Sequence, residues 1–181
     1  MGVIMIKKIA LFLIGLLVVQ TACWAKDTLN FTFPNEGWHR VVSPDGVASK
    51  VCYVPYNQSS TSYTEMLTFI EKNMKHVDMS PAAILHRQLG KDKNNYKDIY
   101  PEYVVQDAEN AIVTWCSKTF NTCAVERAFR GKQGIVLVIY TNKAPHYSQN
   151  MFGQWVNNLG RIEVYDPEKT TENQKVNLIE L

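Results

Sequence analysis

The chain predicts an α+β domain built on an antiparallel sheet of about six to seven strands flanked by helices. Three observations carry that prediction. Segments between Leu29 and Tyr56 alternate apolar with polar residues or are rich in Val, Tyr and Phe. A helical period replaces that pattern between Ser62 and Gly90. Strand-like runs then fill Glu102 to Tyr140 in quick succession, ahead of a last amphipathic stretch. Their connections are short, and short connections join antiparallel neighbours, because a parallel crossover needs about a dozen residues or more.

The elements follow in order. Leu29-Asn-Phe-Thr-Phe33 alternates strictly, which puts Leu29, Phe31 and Phe33 on one inward face. Trp38 to Val42 is a second strand. Ser43-Pro44-Asp45-Gly46 is a turn, since Pro44 presets φ and Gly46 tolerates positive φ. Val47 to Tyr56 is a third strand, followed by the polar loop Asn57–Ser60. Ser62 and Glu65 have the spacing of a capping box. Met66, Leu67, Phe69, Ile70 and Met74 recur behind it at helical spacing, so a helix is expected there. Ser80-Pro81 opens a second helix that carries Ile84, Leu85 and Leu89 and is expected to end at Gly90. Lys91 to Asp98 then reads as a solvated connection.

The next strands are Glu102–Gln106, Ala111–Cys116, Thr122–Arg130 and Ile135–Tyr140. In the third of them Cys123, Val125, Arg127 and Phe129 oppose Ala124, Glu126, Ala128 and Arg130. Arg127 therefore shares an inward face, as the partner of a buried carboxylate or at a groove. Ile135–Tyr140 is apolar on both faces and suits a central, covered strand. Cys116 and Cys123 flank a short loop at the ends of paired strands. Cross-strand α-carbons lie about 4.5–5.5 Å apart, inside the disulfide range, so these two are expected to be joined. Cys52 is then a small buried hydrophobe. Met151, Phe152, Trp155, Val156, Leu159 and Ile162 form the stripe of a final helix that seals one face of the sheet.

The amino-terminal residues set an address. Lys7-Lys8 precede the uncharged run Ile9–Val19, and small residues lead to Cys23-Trp24-Ala25. That is the pattern of a secretory signal peptide cut between Ala25 and Lys26. Ile9–Val19 is about half of the roughly 20 residues a stable span needs, so no transmembrane anchor is expected. The domain plan is a signal peptide at 1–25, a single α+β domain at 26–165, and a polar, mobile tail at 166–181. The location is secreted or periplasmic. An uncleaved interfacial anchor is one alternative. A lipoprotein modified at Cys23 is another, although Gln20 stands where a leucine-like residue is usual. The chain holds 19 basic and 17 acidic residues. Loss of Lys7 and Lys8 balances them, which removes any electrostatic case for nucleic acid or an anionic membrane.

Taken together, the opening Leu29–Phe33 strand, the Tyr-x-Glu helix near Glu65, the run Ala111–Tyr140 and the closing Phe152–Ile162 helix resemble the PsbP-like fold. That family includes the extrinsic photosystem protein, DcrB-like envelope proteins and a Ran-binding nuclear import factor. The resemblance covers most of the chain after the leader. It implies an antiparallel sheet sandwiched by helices and a binding or assembly module without a shared catalytic motif. The chain is also similar to small exported Gram-negative proteins, including type II secretion substrates.

The chemistry points the same way. The cysteines lack paired CxxC spacing, and His39, His76, His86 and His146 never stand three to five apart, so no zinc site is expected. There is no nucleophile elbow and no phosphate-binding glycine loop. No cofactor is implied. The candidate binding surface is Trp38, His39 and Arg40 near a strand start, Arg127, and His146-Tyr147 in a polar and aromatic loop. The functional expectation is an exported, non-enzymatic binding or assembly module, with a secreted effector as one form of it, whose partner is a protein. The alternatives are a small secreted hydrolase or thiol enzyme, pairing Cys116 or Cys52 with His146, and an envelope lipoprotein. Mass spectrometry of the exported form should read Lys26 as its first residue; a lipidated Cys23 or an intact Met1 would select one of the alternatives.

Overall fold

Strand Ile135–Asn142 is the middle of the molecule, and its unbroken apolar run is the reason. The computed structural model describes residues 27–34, 37–46, 50–72, 78–132, 134–143, 149–168 and 178–181. The elements are β1 (Thr28–Asn30), β2 (Trp38–Val41), β3 (Lys50–Pro55), β4 (Glu65–Lys72), α1 (Pro81–Asn95), β5 (Glu102–Gln106), β6 (Asn110–Ser117), β7 (Thr122–Arg130), β8 (Ile135–Asn142), α2 (Gln149–Gly160), β9 (Glu163–Val164) and β10 (Leu178–Glu180). Seven strands form one sheet in the order β2-β3-β4-β8-β7-β6-β5. Every pairing in it is antiparallel. A second sheet has the order β10-β1-β9. The α+β sandwich read from the sequence is the architecture observed, with β8 at the centre of the main sheet.

Each face of that sheet carries its own core. On one side Leu67 and Phe69 of β4, Val136, Val138 and Tyr140 of β8, and Val125 and Phe129 of β7 pack under Trp155 and Leu159 of α2. Leu29 and Ile179 of the small sheet belong to the same cluster. On the other side Ile70, Leu137, Ala124, Ala128, Val113 and Trp115 pack against Ile84, Leu85 and Leu89 of α1. Ser80 caps that helix by accepting the Ala83 N–H at 3.2 Å, with Pro81 at its start.

Three expectations are corrected. The helix expected behind Ser62 and Glu65 is strand β4, so the two linked helices between Ser62 and Gly90 reduce to α1. Met66 to Ile70 are all buried because β4 lies between β3 and β8 with both faces covered. Such a strand has no alternation, and a short apolar run cannot be told from a helix by period alone. Ser62 belongs to a turn instead, its N–H donating to Ser59 Oγ at 3.1 Å. Met74 lies outside the described residues.

Helix α1 also runs through Gly90 to Asn95, where the Tyr96 N–H meets the Asp92 carbonyl at 2.6 Å. A mid-helix glycine costs only about 1 kcal/mol relative to alanine. The added turn buries Asp92 and sets Tyr96 on Trp115 with ring centroids 5.1 Å apart. Lys91–Asn95, expected as a solvated connection, is therefore helical. Lastly, the segment read as a mobile tail comes back to the body. Leu178–Glu180 pairs with β1, and Ile179 and Leu181 are buried. Two apolar side chains in a polar stretch were enough to hold it.

Two turns fasten this frame. The Gly46 N–H meets the Ser43 carbonyl at 2.9 Å, with φ of 67° at Gly46. At the β7–β8 turn, a Cβ on Gly131 would strike the carboxylate of buried Asp27, whose Oδ1 accepts the Lys132 N–H at 3.0 Å. Cys116 and Cys123 are register partners joined by a disulfide, with α-carbons 4.0 Å apart. Cys52 is buried and unbridged. Replacing Cys116 and Cys123 together by serine should lower the unfolding free energy in urea by about 2.5 kcal/mol. An unchanged unfolding midpoint would show that the crosslink contributes nothing.

Candidate functional site

Helix α1 packs chiefly on β6, β7 and β8, and of β4 only Ile70 joins its buried cluster. The uncovered half of that face is a cleft of about 560 Å³. Its floor is Cys52, Met66, Thr68, Ile70, Ile139 and Thr141. Gln88, Lys91, Asp92 and Asn95 of α1 form one wall, and the Ser43–Asp45 turn forms the other. Lys50 and Lys72 stand at one end, and Tyr63 and Tyr96 also line the opening.

Two carboxyl groups meet under this floor. Glu126 is fully buried on β7, flanked on its own face by Ala124 and Ala128, whose small side chains let α1 approach. Its Oε1 accepts the Trp115 indole N–H at 2.6 Å. Its Oε2 meets no donor among the described residues. The neighbour it does have is Asp92, which accepts from Gln88 Nε2 at 3.2 and 3.3 Å. Burial, and then the Asp92 charge, hold Glu126 well above the usual carboxylate range. Burial raises Asp92 as well, against the hydrogen bonds from Glu126 and Gln88. Two close carboxylates cannot both ionise in a desolvated place. The pair therefore holds one proton, carried on Glu126 and donated to Asp92, which gives Oε2 its missing partner.

The other end of the cleft is positive. Lys50 pairs with Asp45. Burial lowers the Lys72 ammonium first, followed by repulsion from Lys91 and Lys50. The cleft thus runs from Lys50 and Lys72, past Lys91, whose charge reaches both Lys72 and Asp92, to a shared-proton carboxyl pair.

The described residues among those singled out from sequence, Trp38, His39, Arg40 and Arg127, do not share one face of the sheet. Trp38 is not an exposed aromatic. It stacks on Phe33 at 5.7 Å and meets Trp155 edge-on at 5.8 Å, on the α2 side of the sheet. The inward alternation of Phe31 and Phe33 brings it partners there. His39 lies half-buried on the opposite face against Tyr56, and Arg40 is exposed. Arg127 faces inward as expected, but its partners are carbonyls. It donates to Leu159 O at 2.5 Å and Ile162 O at 2.8 Å, and to Asn110 Oδ1 at 2.8 Å. It caps the carboxyl end of α2, where carbonyls lack partners. Burial brings its pKa down to about 10, against the nearby charges of Glu163 and Asp107. His146 and Tyr147 lie outside the described residues, as does the expected cleavage point between Ala25 and Lys26.

Asp92 went unrecognised because its segment read as a connection. Glu126 had a legible signal, a lone acid between two alanines on one face of an alternating strand. Among the described residues no cluster of three or more His, Cys, Asp or Glu could hold a metal. No helix among them is long and apolar enough to cross a membrane.

No family model and no curated protein matches the chain by sequence. In three dimensions it is similar to CyanoP, the cyanobacterial PsbP of Synechocystis sp. PCC 6803. The TM-score is 0.50 at 10% identity, over 78% of this chain and 94% of that one. The fold is PsbP-like. The chain is also similar to the Saccharomyces cerevisiae Ran-binding protein Mog1p, with a TM-score of 0.48 at 12% identity, over 77% of this chain and 92% of that one. At such identities the likeness concerns the PsbP-like fold alone.

The carboxyl pair makes stability depend on pH with a definite sign. The folded state favours neutral Glu126, so its stabilisation is complete below the unfolded glutamate value of about 4.3. It is lost as pH rises through the raised folded value. Urea unfolding of the wild type should lose on the order of 1 kcal/mol per pH unit in that window. Glu126→Gln can still accept from Trp115 and donate to Asp92, so it should flatten most of that slope. Equal slopes in both proteins would rule out the shared proton.

Proposed function

We propose that this chain is an exported, non-enzymatic binding module whose protein partner docks in the cleft beside α1. The observation that carries the reading is the asymmetry of the sheet. The α2 side is closed by a helix and a second sheet, whereas half of the α1 side is an open cleft with charged ends. A recess of that size with both apolar and polar walls suits a ligand. The signal-like leader and the Cys116–Cys123 bridge support export, since such bridges persist in oxidising compartments.

The lining argues against the enzyme readings. A general acid must reach the proton it moves, and Glu126 has no accessible surface. Cys52 lies in the floor but is 1% exposed, with Thr68 Oγ1 3.7 Å away. Among the described residues no histidine lines the cleft, and Cys116 is spent in the disulfide. Among the described residues that line the cleft there is no thiolate–imidazole couple.

The test is recovery of partner from the exported fraction with wild-type protein and with Asn95→Trp and Thr141→Trp, which fill the cleft from its wall and from its floor. Each filled variant should recover at least about tenfold less partner while keeping the wild-type melting temperature. Equal recovery by a folded variant would place the binding surface elsewhere.

A further inference from the structure

The cleft's two ends specify what kind of segment fits it. Lys72 is half-buried, and the charges nearest to it in the cleft are Lys50, paired with Asp45, and Lys91, which also lies within reach of the Asp92 charge. Three like charges at one end of a recess focus a field that an anion would relieve. At the other end stands the Asp92–Glu126 pair, with one shared proton and a net negative charge, and with Asp92 in the cleft wall. Glu126 is fully buried behind Asp92, so Asp92 is the member of the pair that the cleft exposes. The apolar floor of Met66, Ile70 and Ile139 joins the two ends.

The register sets the distance between them. Lys72 pairs with Ile135, which pairs with Arg130, four positions along β7 from Glu126. Lys50 pairs with Ile70, and through Leu137 reaches the level of Ala128, two positions from Glu126. At about 3.3 Å per residue the ends are roughly 7–13 Å apart along the strands. An extended peptide covers that span in about two to four residues.

Resting on the binding-module reading, we propose that the cleft takes an extended acidic segment of the protein partner. Its carboxylate sits among Lys50, Lys72 and Lys91. Two to four residues on, a backbone N–H or hydroxyl donates to the Asp92 carboxylate, with an apolar side chain between them on Met66, Ile70 and Ile139.

The probes are four: an acetylated, amidated valine–threonine pentapeptide with one glutamate, its glutamine counterpart, an all-neutral version with a free terminal carboxylate, and inorganic phosphate. Amide chemical shifts and titration calorimetry read their binding to the full chain. The glutamate peptide should bind and shift the Lys72, Lys91 and Asp92 amides, and the glutamine peptide should bind at least about tenfold more weakly. Lys72→Gln should weaken the glutamate peptide about fivefold and leave the glutamine peptide unchanged. Binding should weaken between about 0.02 and 0.3 M salt. Tight binding of the free-carboxylate peptide would support the same site and assign the acid to a chain terminus. Phosphate acting as strongly as the peptide would overturn the proposal, leaving a simple anion patch. Equal binding of the glutamate and glutamine peptides, with shifts at Met66 and Ile139, would overturn the acid requirement while the cleft reading survives. If no peptide binds although the filled variants lose the partner, the acidic segment is likewise overturned. If the filled variants keep the partner, the reading beneath it fails.

Discussion

The ladder between β4 and β8, from Glu65↔Asn142 to Lys72↔Ile135, holds this molecule together. Without it there are two separate meanders, β2-β3-β4 and β5-β6-β7-β8. Each would present an unpaired edge and half a core. With it, Leu67 and Phe69 reach the α2 core while Ile70 reaches the α1 core. One strand thus ties both layers. It also joins residues far apart in sequence, so its loop-closure cost is met by burial on two faces at once.

The two sides of the sheet are then finished differently. On the α2 side, Tyr140 and Trp155 stack at 3.8 Å, and Phe31, Phe33, Trp38, Tyr53 and Phe69 extend the aromatic packing towards β2. Arg127 locks the end of α2 onto β7. Asn142 Nδ2 links Tyr140 to half-buried Glu65 across the β4–β8 seam. On the other side α1 rests on three strands, and its last turn stands over Trp115. The cleft is the remainder of that face. Its existence follows from one short helix covering a wide sheet.

Charge is distributed to suit. A chain near overall balance gathers Lys50, Lys72 and Lys91 at one place and buries two acids at another. The acids tolerate burial because one stays neutral and the Trp115 indole satisfies it. Asp98 works in the opposite sense. It accepts from Ser117 Oγ and from the N–H and hydroxyl of Thr119, which pulls its pKa down to about 2 and ties the β6–β7 loop to the chain after α1.

Local pattern was sufficient wherever a side chain's neighbours along the chain decide its state. The alternation of β7, the closure of Cys116 on Cys123, the capped start of α1 and the stripe of α2 were legible for that reason. The choice of strand over helix at Glu65–Lys72 was not, because an apolar run buried on both faces has no period of its own until β3 and β8 flank it. Trp38 and the return of Leu178–Glu180 depended likewise on partners distant in sequence. So did the meeting of Asp92 with Glu126, one on a helix and one on a strand. Sequence alone determined the class of fold, the crosslink and the inward face of Arg127. Tertiary structure alone decided where α1 stops and which charges face each other across the cleft, because those follow from contacts between segments that no local spacing encodes.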